Sequence, residues 1–171
     1  MKIETKFTIA AQGVPKMAVE LTKDLAHEKF SQILDQKILE SYIAEQFNAK
    51  YRISEMNSMS NQRLTVFVDD HIAGYAKITS RGKTPFCLEN SRALPIADFA
   101  VLKRDPQEQI KKSLLDKCRS VCKRVEAVWI NECIDNPVIS FFESYGFRKQ
   151  SEKVQHDELN LPSEYLVYQY K

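Results

Sequence analysis

The chain has 171 residues, 43% of them hydrophobic and 28% charged, enough to bury a substantial core and a composition that excludes disordered and fibrous proteins. A formal net charge of +2 is too close to neutral to announce a nucleic-acid partner. No apolar run approaches the ~18 residues of a membrane span, so neither nucleic acid nor membrane is expected as a partner.

In chain order, IETKFTI (3–9) alternates Ile3, Thr5, Phe7 and Ile9 on one face, the pattern of a half-buried strand. The segment before Gly13 lacks the uninterrupted apolar stretch of a signal peptide. Gly13 and Pro15 open a helical region in which Met17, Leu21 and Leu25 form one apolar stripe. Leu34, Ile38 and Tyr42 form a second, with a break expected near residues 27–31. Leu64–Val68 and Ile72–Thr79 are rich in β-branched and aromatic residues, and Asp69-Asp70-His71 links them as a hairpin. Residues 92–102 (RALPIADFAVL) are apolar on both faces, which predicts a central strand. A helix follows to about Cys122, then a strand VEAVWIN, a short helix PVISFFESY, a strand beginning GFRKQ and a last strand EYLVYQY. Gly146 stands where a helix C-terminus needs a left-handed residue. The order predicts a mixed α/β fold with a βαβ unit at 92–131, in one domain spanning 1–171 without repeats or linkers.

The four cysteines, at 87, 118, 122 and 133, are too few for a disulfide scaffold in a chain of this size, so a cytoplasmic location is expected. Ile110, Leu114, Cys118 and Cys122 share one helix face by their spacing of four, which assigns both cysteines to the core. With no second cysteine pair, and with the three histidines scattered at 27, 71 and 156, no metal site is expected.

VWINECIDNPVISFFESYGF (128–147) resembles the last core motif of the GNAT acetyltransferase superfamily: a strand, an Asn, a short helix with an aromatic pair, then Gly-Phe. Here the pair is Phe141-Phe142, followed by Glu143 and Gly146-Phe147. Trp129 and Asn136 fall where the spermidine/spermine-type branch commonly has Trp and Asn. FVDDHIAGYAKI is similar to that branch's hairpin, with Gly74, Tyr75 and Lys77 in place. The resemblance runs from about Phe30 to the C-terminus. It implies a GNAT fold: a mixed, mostly antiparallel sheet with a βαβ acyl-CoA-binding core, flanked by helices. It also implies acetyl transfer from acetyl-CoA to an amine of a small molecule, such as a polyamine, or of a peptide. Members of that superfamily are often dimers, and the resemblance carries a homodimer as an expectation.

The implied cofactor contacts are Phe99, Ala100, Val101, Gln109, Ile110, Lys111, Lys112, Asn136 and Phe142, with Asn136 holding the cofactor's arm. The family's glycine-rich phosphate loop fits Val101–Leu114 without a gap, yet its signature positions hold Lys103, Pro106, Gln107, Gln109 and Lys111. Those glycines let backbone N–H groups approach a diphosphate at a helix start. Here Asp105 as N-cap, Pro106 at the first helical position and Glu108 would cap the helix from within. Lys103, Arg104, Lys111 and Lys112 are either a solvated face or ionic substitutes for the lost backbone contacts. Phe142 stands where the family has a Tyr that protonates the leaving thiolate, and Phe has no proton to give; Tyr145 either replaces it or packs before Gly146. Asp98, in the central strand, is either paired structurally or a base facing a cleft, and Glu132, where the family register has an apolar residue, either points into a cleft or sits on a bulge. The alternative to an enzyme is a non-catalytic GNAT-fold binding module.

Overall fold

The computed structural model of the chain describes residues 1–8, 14–48, 54–55, 58–103, 107–156 and 159–171, and the side chains of the first helix from residue 19 onward. Eight strands form one sheet in the order β1-β2-β3-β4-β5-β8-β6, with β7 paired to β8. They are β1 (Ile3–Phe7), β2 (Asn61–Val68), β3 (His71–Thr79), β4 (Ala93–Val101), β5 (Ala127–Cys133), β6 (Arg148–Lys149), β7 (Val154–Gln155) and β8 (Pro162–Gln169). Only β4 and β5 run parallel. The helices are α1 (Val14–Phe30), α2 (Gln36–Gln46), α3 (Gln107–Cys122) and α4 (Val138–Ser144).

The hairpin joining β2 to β3 turns on Asp69 and Asp70, both at positive φ (46° and 68°), the twist a two-residue turn needs between right-twisted strands. Asp35 caps α2, its carboxylate accepting from the Lys37 N–H at 2.9 Å. The expected break near 27–31 begins at its far end: α1 runs to Phe30 and α2 starts at Gln36. Gly146, at φ 89°, ends α4 as expected. The expected cap at Asp105 and Pro106, and Gly13, lie outside the described residues.

The two faces of the sheet are covered differently. On one, Leu64, Ala76 and Phe99 meet Ile110, Leu114, Leu115, Cys118 and Cys122 of α3, with Val138, Ile139 and Phe142 of α4 in the same core. The predicted 110/114/118/122 stripe is thus buried throughout. Each such side chain taken out of water contributes about 1.5–3 kcal/mol. On the other face, α1 and α2 pack around Ala26, Phe30, Leu39, Ile43 and Phe47, and Leu25 reaches Tyr75 and Leu102. Because β4 lies mid-sheet between these layers, it is apolar on both sides.

Gly74 shows why β3 and β4 run so close. A Cβ built there would lie 2.4 Å from the Ala100 carbonyl oxygen and 2.9 Å from the Val101 Cα.

Candidate active site

Strands β4 and β5 pair only over Ala93–Pro95 and Ala127–Trp129. Beyond Pro95 they part, and among the described residues no strand pairs with the β5-facing edge of β4 as far as Val101. The β3–β4 register slips at the same place, with Lys77 opposite Asp98 but Ile78 opposite Ile96, so Ala97 is a bulge residue. Bulges bend a strand and re-aim its side chains. Here the bend opens a gap in mid-sheet, and a cavity lies on each side of it.

The larger cavity, about 220 Å³, is walled by α1, β3, β4 and β5 and includes Lys29, Tyr75, Lys77, Asp98, Asn131 and Glu132. The smaller, about 130 Å³, lies between the end of α1, the far half of β4, and the starts of α3 and α4. Leu25, Lys29 and Ala100 line both.

At this shared wall Lys29 Nζ lies 2.6 Å from Glu132 Oε1, with the two side chains 14% and 2% exposed. The second oxygen of Glu132 accepts from Asn136 Nδ2 at 2.6 Å. Asn136 Oδ1 in turn accepts from the Val138 N–H, at the start of α4, at 3.0 Å. Burial pushes the Glu132 carboxyl up, and the Lys29 ammonium pulls it part of the way back. For Lys29, burial disfavours the charge, but the Glu132 and Asp98 carboxylates outweigh it and the pKa rises. Lys29 therefore stays cationic.

Asp98 accepts a hydrogen bond from the Tyr75 hydroxyl. Tyr75 is buried, with the Arg63 guanidinium 4.5 Å from its ring centre. Lys77 pairs with Glu55 at 2.6 Å. Asp98 and Glu132 both line the larger cavity and both are partnered, and Glu132 sits in the unshifted β5–β8 register rather than on a bulge.

The sequence-derived cofactor residues divide. Phe99, Ala100, Val101, Lys111 and Asn136 line the smaller cavity, joined by Lys103 and Gln107. Lys111 Nζ donates to Gln107 Oε1 at 2.9 Å, and partial burial pushes its pKa down. Gln109 and Lys112 face away, in a shallow surface hollow near Thr5. Ile110 and Phe142 are fully buried in the core. Phe142 is packed edge-on between Phe99 and Phe147, with ring centroids 5.0 Å from each. Tyr145 packs on Phe141 at 4.7 Å and lines neither cavity. Lys29 was missed, although the signal was there: it continues the Leu21–Leu25 stripe at the next i+4 position, where a charge needs a buried partner.

In sequence the chain matches no protein-family model and no curated protein. In structure it is similar over nearly its whole length to a PaiA N-acetyltransferase from Thermoplasma acidophilum in complex with coenzyme A. The TM-score is 0.79 at 15% identity, covering 99% of this chain and 100% of that one. The GCN5-related N-acetyltransferase from Rhodopseudomonas palustris gives 0.72 at 9% identity, covering 99% and 97%. The chain has the GNAT fold. A GNAT family acetyltransferase from Elizabethkingia anophelis with acetyl-CoA bound gives 0.58 at 13% identity, covering 98% of each chain. Within this GNAT-fold domain, no cluster of three metal-ligating side chains occurs among the described residues, and no described helix is long and apolar enough to cross a membrane.

Proposed function

We propose that this protein is an acetyl-CoA-dependent N-acetyltransferase whose acceptor amine enters the larger cavity and whose acyl donor enters the smaller. The observation that carries this is the parting of β4 from β5 at the Ala97 bulge, with cavities on both sides meeting at Leu25, Lys29 and Ala100.

Acetyl-CoA supplies an activated thioester. The unpaired edge of β4 at Phe99–Val101 offers backbone hydrogen-bonding groups to an extended amide-bearing arm, as an open strand edge does for any extended chain. That contact is independent of side chains and survives the loss of the phosphate-loop glycines. Lys103 and Lys111 flank the same groove, and an anion beside Lys111 would favour the ammonium that burial disfavours. Asn136, with its carboxamide oxygen on α4 and its amide on Glu132, shapes the groove more than it reaches into it.

On the acceptor side, Asp98 receives a proton from the entering ammonium. The amine lone pair then forms the C–N bond at the thioester carbonyl, and as the C–S bond breaks the nitrogen gives up its second proton, which the departing thiolate takes up. Lys29, kept cationic beside the gap, stabilises the oxyanion that develops between those two events.

A second reading is a non-catalytic binding module, favoured by the absence of glycines around the start of α3 and by the burial of Phe142 in the core. Calorimetric titration with acetyl-CoA, followed by thiol release over a panel of primary amines, separates the two. Micromolar binding with amine-dependent release supports the enzyme. No binding up to millimolar concentration refutes it.

A further inference from the structure

The charges lining the larger cavity are unequally matched. Among the described residues four cations face it, Lys29, Lys77, Arg81 and Lys83, against three carboxylates, Glu55, Asp98 and Glu132. Lys29 is taken by Glu132 and Lys77 by Glu55, each pair at 2.6 Å. Arg81 and Lys83 remain, exposed at the rim, with no carboxylate in salt-bridge range among the described residues.

A second, independent observation lies beneath them. Trp129 lines the cavity at 6% exposure, and its indole N–H has no acceptor among the described residues. An unsatisfied buried donor is costly, so it marks a place where an acceptor group is welcome. Gly82 adjoins the benzo edge of the indole, since a Cβ there would stand 3.9 Å from Cη2, across the ring from the N–H. Arg81 and Lys83 therefore lie at the Trp129 end of the cavity, flanking the indole whose N–H is unsatisfied. At the other end are Asp98 and Asn131, whose side-chain oxygen is likewise buried without a donor among the described residues.

Resting on the acetyltransferase reading, we propose that the acceptor is zwitterionic: an amine whose skeleton also carries a carboxylate, as in a short peptide. The ammonium lies toward Asp98 and Asn131, and the carboxylate toward Arg81, Lys83 and the Trp129 indole. The register sets the spacing. Trp129 is opposite Pro95, and Asp98 is three residues further along β4, so the two poles are on the order of 10 Å apart at the usual rise of ~3.3 Å per residue. An extended tripeptide spans that length between its termini. A polyamine would bring its second ammonium against Arg81 and Lys83, which disfavours it.

The test is binding, read without coenzyme. Triglycine, triglycinamide and spermidine are titrated into the wild-type protein at low salt, by calorimetry and by fluorescence of Trp129, the sole tryptophan. Triglycine should bind about tenfold more tightly than its amide and shift the Trp129 emission. In Arg81→Ala/Lys83→Ala that preference should shrink toward unity while affinity for the amide stays unchanged. Spermidine binding as tightly as triglycine, equal affinities for acid and amide, or triglycine binding that leaves the emission unmoved would each overturn the proposal. So would no triglycine binding at millimolar concentration. Selective peptide binding without acetyl transfer would instead sink the enzymatic reading and leave the recognition of a zwitterion standing.

Discussion

Removing Lys29 should damage the fold in a pH-dependent way. In Lys29→Met the aliphatic stem is retained, but Glu132, 1% exposed, loses the cation that sits 2.6 Å away. Breaking one side of a buried ion pair costs about 3–5 kcal/mol. At ~2–4 °C per kcal/mol for a chain of this size, the melting temperature should fall by ~6–20 °C. The sign with pH follows from Glu132. Its folded pKa is already raised by burial and rises further in the variant. A group whose folded pKa exceeds its unfolded value, ~4.3 for Glu, contributes stability below that value and loses it as pH climbs through the folded one. The variant should therefore lie closest to wild type near pH ~4 and fall away toward pH ~8. Lys29→Met/Glu132→Gln, which leaves Asn136 an acceptor, should recover most of the loss. Thermal melts of the three proteins across this range decide it. A penalty flat with pH, or a double variant no better than the single one, would refute the reasoning.

Asp98→Asn keeps an acceptor for the Tyr75 hydroxyl but cannot take a proton; turnover should drop by ~10²–10⁴ with acetyl-CoA affinity unchanged by calorimetry. Tyr145→Phe should leave turnover as it was, because Tyr145 lines neither cavity; a large loss would restore it as the acid. Gly74→Ala forces a methyl into the Ala100 carbonyl and should cost about 1–3 kcal/mol in denaturant unfolding. With an aromatic disulfide reagent, the native protein should show one fast thiol, Cys87, and four after unfolding. Burial pushes Cys118 far up and Cys122 to about 11, which suppresses the reactive thiolate.

What the sequence made legible was what local periodicity determines. The four-residue spacing of α3 placed Cys118 and Cys122 in the core, and the two-sided apolar run of β4 placed that strand mid-sheet. The paired strands β6 and β7, two residues each, are too short for an alternating pattern to show, and β7 went unseen. A motif register aligns residues along the chain but does not say which face of α3 each one occupies. Periodicity alone would have separated them: Gln107 and Lys111, four apart, face the groove, while Gln109 and Lys112 do not. Tyr145 depended on the rotation of the seven-residue helix α4, which packing against Phe99 and Phe147 sets and sequence spacing does not.

Because Leu25, Lys29 and Ala100 are walls of both cavities, neither cavity can change shape without the other registering it. A ligand that shifts Lys29 from one side alters the surface met from the opposite side, and it must draw on the same ion pair to do so. Such coupling is reciprocal: whatever factor an acyl donor applies to the affinity for an amine, the amine applies to the donor. On the proposed reading, the buried Lys29–Glu132 pair would therefore link the two binding events, so that the affinity for each ligand depends on whether the other is bound.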